Sequence, residues 1–456
     1  MFFEEMTVYP RVIKTNTEVV IHGRFFDIHR DLWRDPETEL KLLHVPGDGV
    51  FNDGTVPLSR EYREYSCDFR KDGTFEFKFQ AAQEGEYAFR ISVVKKDTVV
   101  FDALGEFSCY ALEEDLFSLR PYKGDTHVHT CFSRCGNPRE EPSYVAAFGR
   151  ERGLDFMFIT DHLQQEPSIA AQDALKEFES AYRVYAGEEC HAPRCKVDVL
   201  YTTDHVYPAI HQLSLGASRG VIKYTNDNFQ EYSAFVDRRK NELDMSISED
   251  ERTIMAAVDW IVEKTREFGG VSVFCHPFWR PKQRLNLTPK VREYILENRK
   301  YDAVEVIGLG GSSFAFYEGN VRCMNMLAEA GMKNGSRIPV TGSTDSHNAR
   351  ALVGYQYTLL FAPENSLEEV KNAIKSGSAV AVGSKQGEQP LVYGSSRLVS
   401  YAYFLLREFY PEHDEICAAE GKLMLQALRG SCSLQQVSSY CKSNQENLWD
   451  RFCGKN

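Results

Sequence analysis

The first part of the chain alternates apolar and polar residues with the period of a β-strand. Phe75, Phe77 and Phe79 alternate with charged residues, so a strand there would bury one face and expose the other. Similar segments rich in Val, Ile, Phe and Tyr lie nearby, and Asp-Gly or Glu-Gly pairs separate them as turns. The predicted strands cover residues 18–26, 39–45, 74–80 and 86–94. The pattern predicts an all-β domain over residues 1–119, a small sandwich of the immunoglobulin type.

From residue 120 onward the pattern changes to strands that alternate with helices. Gly153, Gly269 and Gly331 follow predicted helices as stop signals. The predicted strands are 156–160, 183–186, 271–275, 303–307 and 338–341, and the predicted helices are 143–152, 168–180, 251–268, 289–298 and 320–330. This alternation predicts an α/β fold with a parallel sheet or barrel over residues 120–388, in which functional residues lie at the carboxyl ends of strands. Residues 389–456 are predicted to form a small helical C-terminal segment.

Composition and charge narrow the class of protein. The chain has 456 residues, 43% of them hydrophobic, which suits two or three domains with large cores. Its formal charge of -13 argues against an electrostatic nucleic-acid binder, although a local basic groove is compatible with it. The twelve cysteines form no C-x-x-C pair, and neither a basic leader nor an apolar run of roughly 18 residues occurs. We therefore predict reduced thiols and a soluble, cytoplasmic protein.

Histidines and carboxylates recur at the ends of successive predicted strands. His127 and His129 form an H-x-H pair, whose i and i+2 positions face the same way in an extended chain. Asp345 and His347 repeat that spacing. An isolated H-x-H motif is more often a pair of surface histidines than a metal site. Recurrence along the chain indicates a metal site, since ligation is the common use of such His/Asp/Glu groups.

Further segments extend the pattern. They contribute Asp161, His162, Glu189, His211 and His276. Asp161 either ligates an ion or orients a ligating histidine. The two oxygens of Glu189 could hold two cations about 3.5–4 Å apart, and the adjacent Glu188 is an alternative. Nitrogen and oxygen ligands suit zinc, manganese or iron(II), and eight or nine candidate ligands exceed the need of one ion, so two or three divalent ions are predicted.

The ordered motifs resemble the PHP (polymerase and histidinol phosphatase) superfamily of metallohydrolases. The order H-x-H, T-D-H, G-x-E, H, H-P and D-x-H looks like that of the superfamily, and KGDTHVHTCFS at 123–133 is similar to its first motif. The β-rich first domain and the Tyr-x-Gly-Asp lead-in look like the carbaryl-hydrolase-like (CehA/McbA) branch. The resemblance covers residues 121–383 and implies a distorted (β/α)7 barrel with a binuclear or trinuclear metal cluster.

The resemblance also implies a role for each metal-type residue. The ligands of the first ion would be His127, His129, Glu189 and Asp345. Those of the second ion would be Glu189, His211 and His276. Those of a third ion would be His162 and His347. His211 is identified because HQLSLG, at 211–216, is similar to the family's His-x-x-x-x-Gly segment.

One segment departs from the family pattern. Many relatives carry an acid or a histidine soon after H-x-H, where this chain has Ser133, Arg134, Cys135 and Gly136. Arginine cannot ligate, so Arg134 is a candidate contact for a substrate anion. Cys135 is either a thiolate ligand or an ordinary thiol, which leaves both two and three ions open.

The predicted chemistry is metal-assisted hydrolysis of a phosphoester, in which a metal-bound hydroxide attacks phosphorus. Asp345 or a site histidine such as His347 would move the proton. Cationic side chains would stabilise the added negative charge, with Arg280 among the catalytic groups. The predicted anion contacts are Lys123, Arg134, Arg280 and Arg350.

Two other functions fit the same residues. One is hydrolysis of a carbamate, carboxyl ester or amide on the same ions, and the other is a binding protein with a structural metal site, which would be closed to water. The expected partner is a small phosphorylated or ester substrate or a short oligonucleotide, without a membrane or an obligate protein partner. The long polar segment 218–250 is either a lid or a surface insertion.

Overall fold

A computed structural model of the chain describes residues 6–26, 34–45, 63–96, 98–191, 210–279, 287–297, 300–308, 314–383, 388–442 and 444–454. The chain folds into two compact units. The first unit comprises Met1–Leu119, Phe404–Phe409 and Ser443–Asn456, and the second comprises Arg120–Tyr403 and Tyr410–Lys442. The residues predicted as a separate C-terminal segment are thus shared between the two units. The three-domain division of the chain stays a prediction.

The first unit contains two sheets. The four-stranded sheet has the order β1 (Met6–Tyr9), β3 (Val19–Phe25), β7 (Thr74–Phe79) and β6 (Asp68–Phe69). The five-stranded sheet has the order β2 (Val12–Lys14), β9 (Thr98–Leu112), β8 (Gly85–Lys95), β4 (Thr38–Val45) and β5 (Arg63–Tyr65). The predicted strands are confirmed to within one residue at each end.

Aromatic side chains of both sheets form the core of this unit. Phe75, Phe77 and Phe79 of β7 are buried together with Phe89 of β8 and Phe107 of β9. The rings of Phe89 and Phe107 stack with centroids 5.2 Å apart. The alternation in β7 is therefore confirmed as one buried face, because the strand period turns every second side chain inward. The immunoglobulin-type topology stays a prediction.

The second unit is built on one curled, mixed sheet of ten strands. Its order is β16 (Val340–Gly342), β15 (Ala303–Ile307), β14 (Val271–Phe274), β13 (His211–Leu215), β12 (Arg183–His191), β11 (Phe156–Ile159), β10 (Arg120–Val128), β17 (Gln356–Ala362), β18 (Ala379–Gly383) and β19 (Leu391–Tyr393). A bridge pairs Val128, at the end of β10, with Ser346, just beyond β16. The α/β class is confirmed, while the seven-fold barrel count stays a prediction.

Strand direction decides which residues meet at one edge of this sheet. β10, β11 and β12 run parallel, as do β14, β15 and β16. β13 is antiparallel to both of its neighbours, β12 and β14. The amino end of β13 therefore lies beside the carboxyl ends of β12 and β14. His211 begins β13 rather than following a strand, yet the reversal brings it to the same edge as the other predicted ligands.

Helices connect and cover these strands. They are α1 (Glu114–Phe117) in the first unit, then α2 (Pro142–Glu151), α3 (Glu166–Leu175), α4 (Val221–Asp227), α5 (Phe229–Glu242), α6 (Glu249–Glu267), α7 (Pro289–Glu297), α8 (Phe314–Asn334), α9 (Ala349–Leu352), α10 (Leu367–Ser376), α11 (Ser396–Glu408), α12 (Tyr410–Leu428), α13 (Leu434–Cys441) and α14 (Asn444–Cys453). Gly153 and Gly269 adopt the positive φ expected just beyond helices. Gly331 does not stop α8, because Gly335, with φ of 67°, ends it instead.

The polar segment 218–250 is mostly helical. It forms α4 and α5, and Tyr232 and Val236 of α5 are buried in the core beside α6. The indole N–H of Trp260 on α6 donates to the hydroxyl of Thr225 on α4 at 2.9 Å. These contacts make the segment part of the packed unit. Among the described residues, no helix is both long enough and apolar enough to span a membrane.

Candidate metal centre

Glu189 lies at the centre of a group of histidines. The strand β12 runs to His191, five residues beyond the predicted end at Ala186, so Glu189 lies within the strand and is fully buried. Its Oε1 atom lies 2.7 Å from His211 Nδ1 and 3.3 Å from His276 Nε2. Its Oε2 atom faces a different group of imidazole nitrogens, those of His162 at 2.6 Å, His129 at 3.2 Å and His127 at 3.5 Å. One carboxylate thus presents one oxygen to each of two ligand groups.

The first of these groups comprises His127, His129 and Asp345. The Oδ1 atom of Asp345 lies 3.0 Å from His129 Nε2 and 3.3 Å from His127 Nε2, and the two imidazole nitrogens are 3.2 Å apart. All three side chains are buried. Their ligand atoms converge as they would around one ion.

The environment of His127 provides a test of whether an ion fits. Its Nδ1 lies 3.0 Å from a carboxylate oxygen of Glu305, so Nδ1–H is the donor of that bond. In the neutral ring Nε2 then carries a lone pair, and this lone pair faces oxygens of Asp345 and Glu189. Lone pairs that face each other repel unless a proton or a cation lies between them. The carboxylate–histidine arrangement is the one that orients metal-ligating imidazoles.

Buried charges shift the titration of these groups. Burial disfavours a charged His127, but Asp345 and Glu189 raise its pKa well above the ordinary value. Burial also disfavours a charged Glu189, yet His162 and the other imidazoles hold its pKa well below the usual range. For His211, burial is the main cause that lowers the pKa to about 4. His211 is therefore neutral at pH 7, the form that can donate a lone pair to an ion.

A more exposed group lies beside the first. His129, His162 and His347 each offer a nitrogen within 4.8 Å of the others, and the rings of His129 and His347 stack with centroids 4.2 Å apart. Cys135 hydrogen-bonds with His162 and His347. Burial would raise the pKa of the Cys135 thiol, and these two hydrogen bonds instead lower it to about 6.

Asp161 is not among the residues that face an ion. Its Oδ1 accepts from the Thr130 backbone N–H at 2.9 Å and from the Ser133 hydroxyl at 2.6 Å, while its Oδ2 accepts from the Thr130 hydroxyl at 2.6 Å. Ser133 Oγ also lies 2.9 Å from His129 Nδ1. Both oxygens of Asp161 are engaged in these hydrogen bonds, which favours the role of orienting His129 through Ser133, and direct ligation by Asp161 stays a prediction.

Substituting Ser133 with alanine tests this support. The change removes the three hydrogen bonds of the Ser133 hydroxyl, with His129 Nδ1, Asp161 Oδ1 and the His162 backbone N–H. We expect metal affinity to fall about 10–100-fold, the usual effect of losing a group that orients a ligand. Competition between the protein and a fluorescent chelator measures it. Unchanged affinity would show that His129 does not depend on Ser133.

Two buried carboxylates that sequence reasoning missed hold the ligand segments in place. Glu305 accepts from the Ser343 hydroxyl at 2.5 Å and from the His276 backbone N–H at 3.1 Å, in addition to its contact with His127. Asp125 accepts from both the backbone N–H and the hydroxyl of Thr344. Glu305 lies inside an apolar strand, and this single charge within a Val/Ile run is the signal that could have revealed it.

Two of the six described non-glycine residues with a positive φ are predicted ligands. His276 has φ of 28° and Asp345 has φ of 49°, values that residues other than glycine seldom adopt. Such conformations persist where the surroundings determine them, and they cluster at functional sites. Backbone N–H groups of these two segments donate to Glu305 and Asp125, and these hydrogen bonds hold the segments in place.

His191 and Glu188 show how the strand β12 divides its side chains. His191 follows Glu189 by two residues, so both face the centre; its Nε2 lies 2.8 Å from His162 Nδ1, and its ring stacks on His211 at 4.0 Å. It belongs to the candidate group formed with His162, Glu189 and His211, and the sequence spacing Glu-x-His was the available signal. Glu188 faces away and accepts from the first backbone N–H groups of α4.

Three of the four predicted anion contacts lie in the described part of the chain. Lys123 is 4% exposed and donates to Asp414 at 2.9 Å, beside the rings of Tyr357 and Tyr410, so a substrate anion cannot use it. The Arg350 guanidinium lies over the ring of Phe148, 5.0 Å from its centroid. Arg134 is exposed in the turn after His129. Arg280 lies outside the described residues.

Comparisons with known proteins give structural resemblances only. No family model and no curated protein matches the chain. A two-domain protein from Bacteroides vulgatus ATCC 8482, containing a predicted PHP-like metal-dependent phosphoesterase, is 14% identical over 63% of this chain and 71% of that chain, with a TM-score of 0.41. An amidohydrolase from Chromobacterium violaceum is 14% identical, over 50% and 89%, with a TM-score of 0.30. A lesion-specific endonuclease from Pyrococcus furiosus is 13% identical, over 73% and 90%, with a TM-score of 0.30.

Proposed function

We propose that this chain is a metal-dependent hydrolase that cleaves phosphoric esters at a centre of two or three divalent ions. The observation that carries the proposal is Glu189, which turns one carboxylate oxygen to His211 and His276 and the other to His127 and His129. A shared carboxylate between two ligand groups suits two-metal hydrolysis. Zinc, manganese and iron(II) all accept this set of nitrogen and oxygen ligands.

Ions bound there would lower the pKa of a coordinated water and stabilise negative charge on the ester. The chain's own groups supply the proton chemistry. Oδ1 of Asp345 faces His127 and His129, so Oδ2 is the proposed proton acceptor. His347 donates from Nδ1 to the Asp345 carbonyl at 2.9 Å and keeps Nε2 as the alternative proton carrier.

Turnover of a substrate panel, with and without metal, tests this function. The panel comprises p-nitrophenyl phosphate, bis(p-nitrophenyl) phosphate and p-nitrophenyl acetate. We expect hydrolysis of a phosphate ester that a chelator abolishes and that zinc or manganese restores. Undiminished turnover by metal-free protein would contradict a metal-dependent reaction.

Hydrolysis of a neutral carboxyl or carbamate ester is the second candidate. Phe132 and Leu163 are 51% and 40% exposed on the turns next to His129 and His162, and the Gln164 side chain joins these turns by donating to the Phe132 carbonyl at 2.8 Å. An apolar rim beside the centre suits a substrate with an uncharged, apolar group. The same panel separates the two reactions, since turnover of the acetate alone would reject the phosphate version.

A further inference from the structure

A tryptophan lies against the second ligand group, which is formed by His211 and His276. The indole ring of Trp279 has its centroid 5.2 Å from that of the His211 ring and 5.6 Å from that of the His276 ring. An indole does not ligate an ion, because its one polar atom is an N–H donor. Trp279 therefore lies beside the candidate centre without being part of the ligand set.

The turn after His276 directs one aromatic side chain into the core and the next one towards the ligands. Phe278 packs against a hydrophobic core of the second unit, and the Arg292 guanidinium of α7 lies over its ring, 4.9 Å from the centroid. The backbone N–H of Trp279 donates to the His276 carbonyl at 2.9 Å and closes the turn. The packing of Phe278 thus holds Trp279 in place beside His276.

Other contacts already orient the two histidines. The ring of His211 stacks on that of His191, with centroids 4.0 Å apart and planes inclined by 9°, and its Nδ1 lies 2.7 Å from Glu189. The Nε2 atom of His276 lies 3.3 Å from the same carboxylate. Because these contacts hold both rings, the orientation of the ligands does not account for an indole at this position.

Trp279 is half-buried, unlike an indole that serves only a core. Trp260 is 2% exposed, and its N–H donates to the hydroxyl of Thr225 inside the second unit. Trp279 keeps part of its ring in contact with solvent, next to the ligand group. A rigid ring of this kind offers a large apolar surface on which a planar partner can stack with little loss of conformational freedom.

An apolar rim lies near the same histidines. Leu163 directly follows His162, and the exposed Phe132 lies on the adjoining turn. Leu163 has φ of 65°, which residues other than glycine seldom adopt, and such outliers cluster at functional sites. The rings of His162 and His211 have centroids 5.5 Å apart, so the rim and the indole lie beside one group of histidines.

We propose that Trp279 is a specificity-determining residue, whose indole binds a planar aromatic ring in the alcohol part of the substrate ester. The inference rests on the proposed function, phosphoester hydrolysis at this centre. Aryl and nucleoside esters carry such a ring, and aliphatic esters do not. The reaction itself is unchanged: water adds to phosphorus, the P–O bond to the alcohol breaks, and the alcohol leaves with one proton of that water.

Two phosphate monoesters of similar size and leaving-group basicity test this subsite. Benzyl phosphate carries a planar ring, and cyclohexylmethyl phosphate carries an aliphatic ring in its place. We expect kcat/KM to favour the benzyl ester by about 3–10-fold, the usual gain from one aromatic pair. In Trp279→Leu this preference should disappear through a higher KM for the benzyl ester, and Trp279→Phe, which keeps a ring, should retain most of it.

Phe278→Leu is the matched control, because it removes the neighbouring ring that faces the core. It should keep the preference for the benzyl ester. Elemental analysis should find as many ions per chain in Trp279→Leu as in the unaltered chain. Equal losses for both esters in Trp279→Leu, or fewer ions per chain, would overturn the proposal, since the indole would then serve only to orient the histidines.

Adenosine monophosphate distinguishes a nucleobase from a small aryl group as the source of the ring. A rise in its KM in Trp279→Leu identifies the nucleobase, and a rise for the benzyl ester alone identifies the aryl group.

Calorimetric titration of the zinc-loaded chain with benzylphosphonate and cyclohexylmethylphosphonate separates this inference from the proposed function. A preference for benzylphosphonate that Trp279→Leu abolishes, in a chain that hydrolyses no ester, would support the subsite and reject the proposed function. Hydrolysis of both esters with equal kcat/KM would keep the function and overturn the subsite. Equal binding of the two phosphonates, or binding of neither, would also overturn it.

Discussion

Replacing Glu189 with glutamine is expected to lower metal-dependent hydrolysis at least about a hundredfold. Loss of a group that only orients a metal ligand already lowers metal affinity or activity about 10–100-fold, and Glu189 is a proposed ligand itself. The amide keeps the shape of the side chain but cannot offer a negative oxygen to each ligand group. His211 and His276 would then lose their contacts with the Glu189 carboxylate, at 2.7 and 3.3 Å, which join them to the group of His127, His129 and Asp345. We expect elemental analysis to find fewer ions per chain and the substrate panel to show the loss of turnover.

Glu188 provides the matched control one residue away. Its carboxylate accepts from the backbone N–H groups of Val221 and Ile222 at the start of α4. Glu188→Gln should therefore keep its ions and its turnover and lose about 1 kcal/mol of stability, the usual cost of a weakened helix cap. Equal losses of metal in both variants would contradict the proposed role of Glu189, because β12 gives the two carboxylates different partners.

The second large effect is expected in stability, at a buried ion network of the second unit. Arg150 on α2 is fully buried and pairs with Glu420 of α12 at 2.6 Å and with Asp155 at 3.2 Å. Arg150→Met leaves two buried carboxylates with less compensation. We expect the free energy of unfolding of the second unit to fall by about 3–5 kcal/mol, the typical result of breaking a buried ion pair.

Urea denaturation followed by the helical circular-dichroism signal measures that loss. The matched control is the exposed ion pair of Lys176 with Asp173, whose removal by Lys176→Met should leave the midpoint unchanged, since solvent screens such pairs. Adding Glu420→Gln to Arg150→Met should recover part of the loss, because it removes one uncompensated charge. A midpoint for Arg150→Met equal to that of Lys176→Met would contradict the role of the network.

Sequence patterns predicted much of the centre because strand ends concentrate ligands. The i, i+2 spacing of His127 with His129, and the buried runs before His162 and His276, require only local regularity and parallel strands to bring the side chains to one edge. In the second unit these histidines lie close together at that edge of the sheet. Glu189 was also separable from Glu188 in principle, since alternation sends adjacent side chains of a strand to opposite faces.

Other features depend on contacts that no local pattern reveals. Lys123 is next to a ligand motif in sequence, but it lies four residues before His127 in β10, and Asp414 of α12 binds it there. Asp161 has the residue type of a ligand, and it is its hydrogen bonds to Thr130 and Ser133 that favour a supporting role. The reversed direction of β13 likewise follows from pairing between strands rather than from the residues of β13.

Anomalous diffraction from crystals of the full chain grown with zinc or manganese tests the central claim most directly, because it locates ions without reference to activity. We predict one peak bounded by His127, His129 and Asp345 and a second bounded by His211 and His276, with Glu189 bridging the two. No peak within coordination distance of Glu189, or a single ion bound on only one side of it, would contradict the account.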